Sequence, residues 1–142
     1  MNLLENTQLY RTYGAHPAGQ GWTFRVYAPN ARDAALAGDF NGWQPAPMQH
    51  QGGDWVLTVP DAQPGQCYKY VITGADGQVR WKADPYGTYA QLRPDTASRL
   101  YDVSGFRWHD DVWRERRRET PLTDGPLNIY EVHPGSWRRD ED

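Results

Sequence analysis

The sequence has a single cysteine, Cys67, among 142 residues, which excludes an internal disulfide and paired-cysteine metal motifs. Long apolar runs are also missing. Nothing approaches the ~20 residues of a membrane span, and Met1 to Arg11 has no apolar core for a signal peptide, so a cytoplasmic location is the default expectation. Positive charge is not in excess: Lys+Arg 15 against Asp+Glu 18 gives a formal net charge of −3, and a phosphate backbone or anionic membrane meets mild repulsion. No Gly-rich phosphate loop, metal-ligand cluster or nucleophile elbow is present, and no cofactor is expected. Phenylalanine is scarce, with Phe 3 against Trp 7 and Tyr 9. Trp and Tyr pair a broad apolar face with a hydrogen-bonding edge, so this surplus points to half-wet surfaces as well as core.

What is present reads as one β domain followed by something different. Gly 14 and Pro 11 supply frequent turns, and segments rich in aromatic and β-branched residues recur between them. Strands are expected at Trp22–Tyr27, Ala34–Gly38, Trp55–Val59, Tyr68–Thr73, Val79–Lys82 and Arg99–Val103. In Trp55–Val59 the odd positions are Trp, Leu and Val, which places them on one buried face, and Trp22 belongs to the core on the same pattern. Ala75-Asp76-Gly77-Gln78 reads as a hairpin turn because Asp-Gly tolerates the positive φ such turns impose. The expected fold is therefore all-β: an immunoglobulin-like antiparallel β-sandwich. After Val103 the pattern changes. Asp110 to Glu119 predicts a short helix, capped at Asp110 or Asp111 and stopped by Pro121, and Thr123–Pro126 a turn. LNIYEV, from Leu127 to Val132, predicts a compact apolar strand with little after it to pair with.

Few residues have the pattern of catalysis. The acids sit mostly in turns or on the helix, which does not bring two carboxylates to one cleft. Glu131 and His133 would share a strand face, but the chain supplies no loops to build a pocket around them. His16, His50 and His109 are scattered. Arg114, Arg116, Arg117 and Arg118 are interrupted by Glu115 and Glu119, the pattern of a solvated helix face.

The aromatic residues carry more. In GDFNGW, from Gly38 to Trp43, a turn follows a strand and holds the Trp43 indole outward on a short segment. Trp81 follows the Asp76-Gly77 turn. Lys69 lies between Tyr68 and Tyr70, on the opposite face of that strand. A pyranose has a face of C–H groups and a rim of hydroxyls, so flat aromatic rings suit the face and Lys or Asn groups the rim. Two tryptophans and a lysine have the chemistry to hold a few glucose units. The same indoles would equally serve core or interdomain packing, and Asp39 and Asn41 are as readily turn formers as ligand groups.

GDFNGW, YKY, DGQVRWKADPYG, LRPDTAS and LNIYEVHPGSWRR, in that order from about Tyr10 onward, resemble the N-terminal part of bacterial 1,4-alpha-glucan (glycogen) branching enzymes. The resemblance implies a glycogen-binding β-sandwich module over residues 1–105, a helical linker over 106–126, and over 127–142 the first strand of a truncated (β/α)8 catalytic domain of the α-amylase superfamily. Pro134 stands where the family usually has leucine. By motif, the two tryptophans and lysine of the related kinase glycogen-binding module match Trp43, Lys69 and Trp81, with Asn41 beside them as a further sugar-binding candidate. The family's catalytic acids lie on later barrel strands, so the resemblance implies a chain that does not itself catalyse. It implies an α-glucan, glycogen or maltooligosaccharide, as ligand and the catalytic domain of a longer chain as partner. The alternative is a structural module that docks on that barrel with negligible sugar affinity. An orphan strand at Leu127–Val132 would also offer an edge for self-association.

Overall fold

The computed structural model describes residues 8–119, 125–126 and 128–137, and the chain divides into two compact units at Gly105–Phe106. In the first unit, Gly14–Ala18 (β1), Gly21–Tyr27 (β2), Asp54–Val59 (β6) and Gln49–Gln51 (β5) form one sheet in the order β1-β2-β6-β5. The second sheet runs Ala46–Pro47 (β4), Asp33–Gly38 (β3), Cys67–Thr73 (β7), Ser98–Arg99 (β10), Tyr89–Ala90 (β9). Val79–Lys82 (β8) pairs with Tyr70–Thr73 of β7, while β10 takes Cys67 and Tyr68 of the same strand. Every pairing is antiparallel.

The period-two pattern decides which residues face inward. Trp22, Phe24 and Val26 of β2 lie opposite Val59, Leu57 and Trp55 of β6. Tyr68, Tyr70 and Ile72 of β7 lie opposite Gly38, Leu36 and Ala34 of β3, and apart from Gly38 both sets join one core cluster. Phe24 meets Tyr68 edge-on, with ring centroids 5.0 Å apart, and ties the two sheets together. Each such side chain, fully buried, contributes on the order of 1.5–3 kcal/mol. Trp22 and Trp55 are core residues as expected, and the Trp55 indole N–H donates to the Ala28 carbonyl at 3.1 Å. The two inward faces make this the antiparallel immunoglobulin-like sandwich that the sequence predicts.

A buried carboxylate fastens the segment after β8 to this core. Asp84 accepts from the Tyr68 hydroxyl at 2.6 Å, from the Tyr70 hydroxyl at 3.4 Å and from the Tyr86 amide at 2.8 Å. Its own amide donates to Ser98 Oγ at 2.9 Å. Burial pushes the Asp84 carboxyl above the usual range, even though these hydrogen bonds oppose the shift. Burial, reinforced by the Asp84 charge, also raises both tyrosines well above theirs.

Several expectations need correction. The strand expected at Arg99–Val103 shortens to Ser98–Arg99, where β7 and β9 offer partners. β1 is not among the expected strands; it is an edge strand, where the missing N–H of Pro17 costs little. In the second unit the helix forms at Asp111–Glu119 (α1), and the Asp110 carbonyl accepts from the Arg114 amide. Trp108 before it and Val112 and Trp113 within it are exposed. The expected stop at Pro121, the start of the Thr123–Pro126 turn and Leu127 lie outside the described residues. The expected orphan strand at Leu127–Val132 is not seen among the described residues: Asn128–His133 has no regular structure. A short helix, Pro134–Trp137 (α2), follows instead. Self-association through a C-terminal strand edge therefore has no such edge among the described residues. No helix among them is long and apolar enough to cross a membrane.

Candidate functional site

Strand register builds the site on the outer face of the second sheet. With Tyr68 and Tyr70 inward, Lys69 and Val71 point the other way, and Val71 lies opposite Trp81 across the β7–β8 ladder. Lys69 is thus the diagonal neighbour of Trp81 on one face, at the ~7–8 Å typical of that relation. On the other side of β7 the paired residues are Ala35 and Ala37, whose small side chains keep this face low.

The second indole arrives from the turn after β3. Gly38 is extended, Asp39–Asn41 makes one 3-10 turn, and Gly42 and Trp43 both take φ of 61°. Left-handed backbone is ordinary for glycine and rare for a tryptophan, so Trp43 is held where a smaller residue would be easier. Gly38 is needed for space, since a Cβ there would sit 2.5 Å from the Cys67 carbonyl oxygen. The Trp43 amide donates to the Gly38 carbonyl at 2.9 Å and closes the turn. Its indole N–H donates to Asp39 Oδ1 at 2.9 Å, while Asp39 Oδ2 accepts from the Cys67 amide at 2.7 Å. One carboxylate thus fixes the ring and anchors its loop to β7. Asp39→Ala is expected to cost about 1–3 kcal/mol in chemical denaturation, because the Cys67 amide loses its partner.

The result is a pair of indoles. Trp43 and Trp81 have ring centroids 6.5 Å apart and planes inclined by 33°, and Trp81 is 46% exposed. They make a shallow, two-plate surface with the Trp43 N–H already engaged. Lys69 Nζ donates to Thr96 Oγ1 at 2.7 Å. That bond fixes the position of the ammonium.

Trp43 and Trp81 are brought together, and Lys69 shares the Trp81 face. Asn41 belongs to the same turn, but its amide is engaged locally: Oδ1 accepts from the Gly38 amide at 2.9 Å and Nδ2 donates to the Leu36 carbonyl at 3.1 Å. It shapes the loop that presents Trp43. Asp39 and Thr96, which orient Trp43 and Lys69, were not separable from ordinary loop polarity; Thr96 lies 27 residues beyond Lys69 and no spacing links them. Glu131 and His133 do not share a strand face. Both are exposed, and the His133 ring is bonded to Ser136 Oγ at 2.9 Å. Among the described residues no group of His, Cys, Asp or Glu could hold a metal.

The family described as carbohydrate-binding module 48 (isoamylase N-terminal domain) matches residues 12–87. The 1,4-alpha-glucan branching enzyme of Rubrobacter xylanophilus is 46% identical over 144 residues, covering 96% of this chain and 20% of that protein. The enzyme of the same name from Butyrivibrio fibrisolvens is 43% identical over 142 residues, covering 94% of this chain and 22% of that protein. The chain therefore spans about a fifth of the length of these curated relatives. Among solved structures, a Klebsiella pneumoniae pullulanase complexed with maltotriose aligns with a TM-score of 0.56 at 25% identity, covering 63% of this chain and 9% of that one.

Proposed function

This chain belongs to the carbohydrate-binding module 48 family, and from that premise we propose that it is a non-catalytic α-glucan-binding module. Its parent protein is a 1,4-alpha-glucan branching enzyme, which forms α-1,6 branches in cytoplasmic glycogen and carries the catalytic acids elsewhere in its length. The observation that carries this reading is the Trp43–Trp81 pair, two inclined indoles 6.5 Å apart on an exposed sheet face. Successive glucose units of an α-1,4 chain turn relative to one another, and two plates inclined by 33° suit such a curved ligand better than one flat stack. Lys69 donates to sugar hydroxyls at the rim while Thr96 holds it in place.

Each plate removes on the order of 100 Å² of apolar surface from water, about 2.5 kcal/mol before the costs of association. Two plates less those costs give a weak site, with Kd of about 0.1–1 mM for a short maltooligosaccharide. Glycogen, with many chain ends, is held more firmly through multivalency. Titration with maltoheptaose, followed by tryptophan fluorescence, is expected to give a saturable change in this range. A flat titration accompanied by concentration-dependent oligomers would instead support the module that only docks on a catalytic barrel.

A further inference from the structure

A second aromatic surface lies apart from the two indoles and shares none of their residues. It is a groove of about 490 Å3 bordered by β1, the segment after β8 and the end of the first unit. Three tyrosines face it: Tyr10, Tyr86 and Tyr101, which are 56%, 37% and 55% exposed.

Two of these rings are backed by another ring. Tyr86 stacks on Tyr13, with centroids 5.6 Å apart and planes 28° from parallel. Tyr13 is itself fixed, because its hydroxyl donates to Asp54 Oδ1 at 2.9 Å and Asp54 is paired with Arg25 at 2.8 Å. Tyr101 leans on Tyr89 at 5.7 Å, and the Arg99 guanidinium lies 5.3 Å from the Tyr89 ring centroid. Backing of this kind leaves less side-chain freedom to be lost when a ligand settles on the exposed face.

The polar groups around the rings are mixed. Arg11 and Asp102 are of opposite charge, and His16 holds the Tyr13 carbonyl through Nε2 at 2.9 Å, leaving Nδ1 as a second polar position. Hydrogen bonds from Ser104 hold the Asp102 carboxyl below the usual range, so it is an acceptor at neutral pH. One cation against one carboxylate gives no excess positive charge to attract a phosphate or another anion. The volume falls within the ~300–1,000 Å3 of small-molecule clefts. Rigid rings that accept an apolar face, with a neutral rim of donors and acceptors, match a short stretch of sugar.

We propose that the groove lined by Tyr10, Tyr86 and Tyr101 is a second α-glucan site, so that one module can hold a glucan at two separate places. This shares the ligand class of the reading above but does not depend on the tryptophans. The test uses the whole chain carrying Trp43→Ala and Trp81→Ala together, probed with maltoheptaose by calorimetry and with glycogen by affinity electrophoresis. Residual, saturable binding is expected to persist and to fall about fivefold when Tyr101→Ala is added, with Asp102→Ala as a second variant that spares the rings. Complete loss of binding in the double tryptophan variant overturns the second site and leaves the first intact. Residual binding that neither Tyr101→Ala nor Asp102→Ala lowers also overturns it. If the tryptophan variants bind as the parent does and Tyr101→Ala abolishes binding, the second site stands and the first falls. A Tyr101→Ala change that alters only the oligomeric state would mark the groove as a protein contact and overturn the proposal.

Discussion

Trp81→Ala is expected to weaken retention on glycogen about tenfold or more while the melting temperature moves by only a few degrees. The ring stands 46% exposed on β8, opposite Val71, so its removal forfeits one cross-strand pair of about 0.2–1 kcal/mol and opens no cavity in the core. The loss on the ligand side is larger. One plate of the pair is gone, and tenfold corresponds to only about 1.4 kcal/mol of the ~2.5 kcal/mol that its contact area supplies. Trp43 permits a sharper separation of binding from stability. Its φ of 61° costs a non-glycine residue on the order of 1 kcal/mol, which glycine would relieve. That gain offsets the lost indole hydrogen bond to Asp39, about 0.5–1.5 kcal/mol, so Trp43→Gly should keep its melting temperature near that of the parent while retention collapses. Unchanged retention in both variants would take these indoles out of the site. Retention that falls only in step with unfolding would make them structural.

The fold was legible where burial imposes a period and obscure where pairing is short. β2, β3, β6, β7 and β8 could be placed within a residue or so because each alternates against a neighbour or leads from the Asp76-Gly77 turn. In that turn Gly77 takes a φ of 77°, and the Gly74 amide donates to the Gln78 carbonyl at 3.0 Å. β4, β5 and β9 are two or three residues long, too short for alternation to register; β4 and β5 lie along the edges of the longer β3 and β6, and β9 pairs with the equally short β10. Leu127–Val132 has the composition of a strand, yet Asn128–His133 has no regular structure. At the site, the face of Lys69 followed from counting along its strand, whereas that of Trp81 comes from its register opposite Val71. The GDFNGW turn pointed the Trp43 indole outward, but what holds it there, two left-handed residues in succession and Asp39 reaching both the indole and β7, is not a pattern of residue types.

Asp84→Ala is expected to lower the stability of the sandwich by about 2–4 kcal/mol, the largest effect of any single change considered. The substitution leaves a small void and strips the Tyr68 hydroxyl of its 2.6 Å acceptor in a place water does not reach, so the desolvation penalty of that hydroxyl is felt in full. The Tyr70 hydroxyl keeps only its 3.4 Å contact with the Arg25 carbonyl, and the Tyr86 amide loses its acceptor. For a domain of this size the melting temperature should fall by about 10 °C or more. Asp84→Asn preserves shape and one acceptor oxygen, and should lie much closer to the parent. The two variants also differ from the parent in how they respond to pH. Burial raises the Asp84 carboxyl above its ordinary value, so the folded state holds this proton more tightly than the unfolded chain does. The stabilisation from the neutral acid is complete below the unfolded value of 3.8 and is lost as pH rises through the folded value. Asp76, held down at about 2 by Arg80, and Asp102, lowered by Ser104, act in the opposite sense and lose their contributions as pH falls. Subtracting the Asp84→Asn denaturation profile from that of the parent cancels those shared slopes. A parent advantage that shrinks as pH climbs above about 4 is the expected difference; one that grows would mean that the carboxylate, not the acid, is the form this core prefers.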